Sequence, residues 1–220
     1  VVEAARARGL FLAEALWTYF LPKFDVIDQL LADDVLGEIR SVHTEYGEYF
    51  TPEHRIFDPH LAGGPLLDLG TYPVSLLARL LGPAQQVVGL KQDDPSGVHG
   101  QLAVVMRNDQ GNLGTMATTL YGLTPTNAAI VGSKAALHFG SEFNLPGPFT
   151  LLSKDGSTPL NYIEPPARHF EGLFYEAAEV ARCVHAGLTE TPKRTVDATL
   201  GTMKLLDQIC SSTGIEFYQR

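Results

Sequence analysis

Cysteine is scarce in this chain: Cys183 and Cys210 are its only two among 220 residues. A chain of this length buries a sizeable core without covalent staples, so both read as reduced core residues. Basic residues are in the minority, 16 against 25 acidic ones, for a net charge of −9. With no block of Lys and Arg to neutralise phosphates, nucleic acid and anionic membrane are disfavoured as partners. No apolar run reaches the roughly 18 residues of a membrane span, and Glu3, Arg6 and Arg8 stand where a signal peptide would be apolar. A cytoplasmic location is the resulting expectation.

Phosphate-cradling motifs are missing too. There is no G-x-G-x-x-G turn, and Gly132-Ser133-Lys134 lacks the glycine that a P-loop carries directly before its lysine. Seven histidines (43, 54, 60, 99, 138, 169 and 185) form no H-x-x-x-H or Cys-paired spacing, so no metal site is expected. G-x-S-x-G is absent, which disfavours an esterase elbow.

What is present reads as an α+β domain. Residues 1–8 are helix formers stopped by Gly9, and the apolar run 10–15 reads as a short strand, together a stub of an α/β unit over residues 1–16. The chain opens on Val1 already in helical pattern, and we expect it to be a piece of a longer protein. A helix follows over about 21–32, with Phe20, Phe24, Ile27, Leu30 and Leu31 on one face, then an alternating strand over 40–50 and a Pro/Gly-marked loop over 51–65. Residues 66–81 predict one buried helix with Gly70 and Pro73 in its first turns. Six strand-length runs occupy 84–152, with a hairpin turn at Asn108–Gly111, and helices over 166–186 and 196–212 finish the chain. Val196, Leu200, Met203 and Cys210, with Leu206 close by, mark the last helix's apolar stripe. The expected architecture is a largely antiparallel open sheet with helices packed on one face, forming a single domain over 17–220.

The chemistry concentrates at Gly63-Gly64-Pro65-Leu66-Leu67-Asp68-Leu69-Gly70-Thr71-Tyr72. Asp68 and Tyr72 stand four apart and share a helix face in an otherwise apolar setting. A Tyr hydroxyl beside an ionisable group can exchange a proton with a carbonyl or alcohol. The bland alternative is that Asp68 caps a helix and Tyr72 is a core aromatic. Trp17, the only tryptophan, precedes a helix where α/β ligand crevices lie, although a core role is equally compatible. His54 and Arg55, in the loop before the glycines, could hold an anion or a hydroxyl-rich ligand, or be plain surface charges.

The blocks Glu14–Thr18 with Phe20-Leu21-Pro22, then 63–73, Val131–Leu137 and Glu176–Cys183 occur in an order that resembles the Gfo/Idh/MocA oxidoreductases, most closely their dihydrodiol and sugar dehydrogenase branch. The resemblance implies a C-terminal substrate-binding and dimerisation domain that follows a Rossmann domain for NAD or NADP. It implies Tyr72 as acid/base and Asp68 as its orienting carboxylate, assisted by a Lys upstream of this chain. Trp17, Arg55 and Tyr19 would then contact substrate, Trp17 as an apolar wall, and Glu14 and Trp17 would lie towards the cofactor. Tyr19 stands where that branch often has Arg, and Pro65 where it has a third glycine. The implied function is hydride transfer to or from a sugar-like or dihydrodiol-like substrate, in a homodimer paired through the sheet. A cofactor-free binding or dimerisation module is the alternative.

Overall fold

The computed structural model describes residues 1–140, 142–164 and 171–217. The chain begins with α1 (Val2–Arg8), closed by Gly9 in the left-handed conformation at φ 61°. Residues 10–15 form no strand, contrary to expectation: the segment is irregular, and its backbone is tied to the fold by Leu12 N–H donating to the Thr189 carbonyl. Short apolar runs become strands only where a sheet edge offers partners, and here no strand lies alongside.

A short 3-10 turn over Trp17–Phe20 leads into α2 (Pro22–Ala32), which starts on a Pro. Phe24 and Ile27 are fully buried on its inner face, each contributing about 1.5–3 kcal/mol of burial. Then come β1 (Ile39–Gly47), two 3-10 turns within the 51–64 loop, α3 (Pro65–Asp68) and α4 (Thr71–Leu81). The next six strands are β2 (Ala84–Asp93), β3 (His99–Asn108), β4 (Leu113–Thr119), β5 (Ala128–Gly132), β6 (Ala135–Phe139) and β7 (Phe149–Ser153). A further strand, β8 (Leu160–Tyr162), is only three residues long, too short to show alternation in sequence. Helices α5 (Leu173–His185) and α6 (Val196–Thr213) follow. The first residues of the helix expected over 166–186 lie outside the described residues.

The strands form one sheet in the order β2-β3-β4-β1-β5-β6-β7-β8. Every neighbouring pair is antiparallel except β1 and β4, which run parallel in the register Tyr46 to Thr118. The β3–β4 hairpin turns at Asn108, whose side chain accepts the Gln110 and Asn112 amides, with Gly111 at φ 85°. Along β1, Val42, Thr44 and Tyr46 face the helices, as do Leu102, Val104 and Met106 on β3 and Met116 and Thr118 on β4.

The apolar stripe of α6 is rotated from the expected one. Val196, Leu205, Leu206 and Ile209 are buried, whereas Leu200 and Met203 are 37% and 43% exposed. The inward face includes Thr202, whose hydroxyl receives the guanidinium of buried Arg194, so a polar residue hid the true stripe. Cys183 is buried, Cys210 is half-buried, and neither is in a disulfide.

Candidate active site

The glycine-rich segment folds as two short helices rather than one. Pro73 has no N–H to give the Leu69 carbonyl, which takes the Tyr72 amide at 3.3 Å instead. Leu69 and Gly70 both donate to the Pro65 carbonyl, at 3.0 and 2.7 Å, and the Thr71 hydroxyl donates to that of Leu67 at 2.7 Å. Leu69 and Gly70 keep right-handed helical dihedrals through this break, so Asp68 and Tyr72 still project to one side.

The paired glycines have a steric reason. Gly64 has φ 100°, and a Cβ there would fall 2.3 Å from the imidazole of His99. That imidazole, 5% exposed, accepts the Leu66 N–H through Nε2 at 3.1 Å and so caps α3 from β3. Burial lowers the His99 pKa to about 4, so the ring stays neutral and can accept.

At the other end of the motif, the indole N–H of Trp17 donates to the Tyr72 hydroxyl oxygen at 3.1 Å. Trp17 is therefore more than the expected apolar wall: it is buried, and its ring packs against Gly172, where a Cβ would sit 2.7 Å away. Tyr72 itself is half-buried. Burial pushes its hydroxyl pKa up, the Trp17 N–H partly opposes this, and the Asp68 and Glu176 carboxylates add to the rise. Among the described residues, no acceptor takes the Tyr72 hydroxyl proton.

Asp68 is not on a buried face, as the apolar spacing had implied. It is 40% exposed and ion-paired at 3.2 Å with Arg55, itself 63% exposed, so these two expected residues do meet at the edge of the site. Glu14 and Tyr19 have other work. The Tyr19 ring is 3% exposed between the guanidinium groups of Arg79 and Arg194, and its hydroxyl donates to Ser75. One Glu14 oxygen accepts from Arg194 and from Thr199, which neutralises the buried Arg194. Tyr19, expected towards substrate, thus lies in the core, and Glu14, expected towards the cofactor, is partly exposed and paired with Arg194.

Tyr46 and Asn144, near Tyr72, belong to no motif, while Glu176 opens the Glu176–Cys183 block without being an expected site residue. Tyr46 on β1 packs against the Tyr72 ring at 5.7 Å between centroids. The Asn144 side chain counters part of the rise in the Tyr46 pKa, and the Glu176 carboxylate of α5 raises that of Tyr72. The only available signal was polar residues at inward positions of β1. No cluster that could hold a metal ion exists among the described residues.

Comparison with known proteins matches this fold and motif order. The profile described as the GFO/IDH/MocA C-terminal domain matches residues 24–138. Among curated proteins, the trans-1,2-dihydrobenzene-1,2-diol dehydrogenase of Bos taurus is 28% identical, covering 100% of this chain and 67% of its own length. The zebrafish (Danio rerio) enzyme of the same name is also 28% identical over the full chain. Among solved structures, a 3-ketoreductase from Actinomadura kijaniata in complex with NADP and TDP-benzene superposes with TM-score 0.79 at 20% identity, over 98% of this chain and 66% of that one. An NAD binding oxidoreductase from Klebsiella pneumoniae superposes with TM-score 0.83 at 15% identity, over 100% and 70%. The chain thus spans about two thirds of the length of the relatives it matches. An eight-stranded sheet of this order, the glycine-capped Asp68/Tyr72 helix pair and the profile match together place this chain in the Gfo/Idh/MocA family, as its C-terminal domain.

Proposed function

We propose that this chain is the substrate-binding half of an NAD(P)-dependent oxidoreductase acting on a sugar-like or dihydrodiol-like alcohol or carbonyl. The observation that carries this reading is the Tyr72 hydroxyl, whose oxygen is held by Trp17 while its proton has no acceptor among the described residues. The fit to a nicotinamide dinucleotide is partial. The residues present suit the reacting end, with an indole, a phenol and a carboxylate at one site, but supply no glycine-rich cradle for the pyrophosphate. When bound, the coenzyme supplies or accepts the hydride.

The chain's own residues handle the proton. With its pKa raised by burial and two carboxylates, Tyr72 is a neutral phenol at neutral pH, ready to donate to a carbonyl oxygen as the adjacent carbon is reduced. Alcohol oxidation runs the other way: Tyr72 must first be a phenolate, which the Trp17 N–H stabilises. The upstream Lys implied by the family resemblance would assist this direction. Asp68, tied to Arg55, orients ligand hydroxyls at the rim.

The bare face of the sheet supports a homodimer. Val88, Leu90 and Val105 are 56%, 79% and 48% exposed on the side away from the helices, on adjacent positions of β2 and β3. The same face favours the second reading, a cofactor-free dimerisation module. Two cysteines outside any disulfide suit a cytoplasmic setting, and no described helix is long and apolar enough to cross a membrane. The deciding experiment follows NADH and NADPH absorbance with panels of vicinal diols and aldoses. Turnover with either coenzyme supports the oxidoreductase; none with both coenzymes across the panel leaves the module.

A further inference from the structure

Among the described residues, five buried side-chain oxygens have no hydrogen-bond partner: Thr44 Oγ1, Thr118 Oγ1, Asn144 Oδ1, Glu164 Oε1 and Glu176 Oε2. Four of them surround two tyrosines. Thr44 lies two residues before Tyr46 on the same strand face, Thr118 is the register partner of Tyr46 on β4, and the Asn144 and Glu176 side chains act electrostatically on Tyr46 and Tyr72 respectively. Buried polar atoms left open in this way are where internal water is held.

The hydrogen bonds of Tyr46 have a direction. Its hydroxyl donates to Glu48 Oε2 at 3.4 Å, and the nearby Asn144 side chain counters part of the rise that burial imposes on its pKa. Asn144 is 2% exposed and firmly placed: the Thr18 hydroxyl donates to its carbonyl at 3.0 Å, and the buried Lys23 ammonium donates to the next carbonyl, of Leu145. The Tyr46 ring lies against that of Tyr72 at 5.7 Å, tilted by 56°. Glu48, at the end of this line, is half-buried and reaches solvent.

We propose that Tyr46 is a proton relay between Tyr72 and the solvent-facing Glu48, through internal water held by the unpartnered oxygens. The proposal rests on the reading of Tyr72 as the proton-transfer group. During reduction the Tyr72 O–H bond breaks and its proton goes to the substrate oxygen. The phenolate oxygen regains a proton from Tyr46 by way of water, Tyr46 is reprotonated from Glu48, and Glu48 takes its proton from bulk. Oxidation reverses each transfer, and neither tyrosine changes oxidation state. A phenol whose pKa burial has raised still serves, because it passes one proton on as it receives another.

The test uses Tyr46→Phe, which keeps the ring contact, and Glu48→Gln at a half-buried surface position, which keeps the proposal falsifiable if the first variant does not fold. In protein carrying [13Cζ]tyrosine, with Tyr72 assigned through Tyr72→Phe, the NMR titration of Tyr72 should move to higher pH in Tyr46→Phe, since a donor to its phenolate is gone. In NADP-linked oxidation of trans-1,2-dihydrobenzene-1,2-diol, both variants should lose about tenfold in turnover, less than the ~10²-fold or more expected on losing the acid itself. They should also show a larger solvent deuterium isotope effect and partial rescue by imidazole. An unmoved Tyr72 titration, or unchanged turnover in both variants, overturns the relay. Should Tyr72→Phe keep full turnover, the assignment of Tyr72 as the proton-transfer group fails on its own, and the NMR titration still decides whether the tyrosines are coupled.

Discussion

Trp17 and Tyr72, 55 residues apart in sequence, are joined by an indole N–H donated to a phenol oxygen at 3.1 Å. The bond favours the phenolate, and it opposes the rise that burial, Asp68 and Glu176 impose on Tyr72. Trp17→Phe keeps an apolar ring and removes the donor, at the cost of some packing volume against Gly172. The pH dependence of diol oxidation should then move to higher pH, with about fivefold lower turnover near neutrality, the equivalent of one neutral hydrogen bond of about 1 kcal/mol. A pH profile identical to that of the parent would show that the bond does not tune Tyr72.

The Trp17 ring is itself held by the close approach of Gly172, where a Cβ would lie 2.7 Å from the indole and 2.8 Å from Leu21. Gly172→Ala should therefore push the indole off Tyr72 and destabilise the fold by about 1–3 kcal/mol through overpacking. Urea unfolding measures the second effect and indole fluorescence the first. An unchanged midpoint and spectrum would contradict this packing.

His99 predicts an acid limb in stability. Its folded pKa of about 4 lies below the unfolded value near 6.5, so the unfolded chain binds the proton first as pH falls. The stability held by neutral His99 is complete above about pH 6.5 and is lost progressively down to about pH 4, by about 3 kcal/mol. His99→Gln, whose amide oxygen can still accept the Leu66 N–H, should flatten the dependence over that window. Equally steep acid destabilisation in the variant would assign the limb to other groups.

The exposed sheet face gives an assembly prediction. Leu90→Asp places a charge at the centre of the apolar strip formed with Val88 and Val105. Analytical ultracentrifugation should find a dimer for the parent and a monomer for the variant, with unfolding of the monomer little changed because the residue is 79% exposed. A monomeric parent, or a dimeric variant, would remove the sheet from the interface.

Much of the fold was legible because local chemistry and tertiary packing agree. Helix α2, read as about 21–32, spans Pro22–Ala32 because Pro22 starts it and its apolar face is also its buried face. The strands β2–β7 alternate and are separated by turns, so period and punctuation coincide. The misses have physical causes: residues 10–15 have strand composition but no sheet partner, and α6 turns a threonine inwards to meet Arg194. At the site, Asp68 and Tyr72 were readable as a local pair. Tyr46 and Asn144 were not, because only the β1–β4 register and the burial of the 143–147 segment place them there, and Glu176 was read only as part of a family block. Nor could sequence show that the guanidinium groups of buried Arg194 and partly exposed Arg79 lie against the Tyr19 ring.

The central claim is that Tyr72 carries the substrate proton, and Tyr72→Phe in the full-length enzyme tests it most directly. Coenzyme affinity, measured by NADPH fluorescence titration, should stay within about twofold, while turnover of diol or sugar falls by about 10² or more, as removal of a general acid requires. Turnover close to that of the parent, with coenzyme bound normally, would contradict the account.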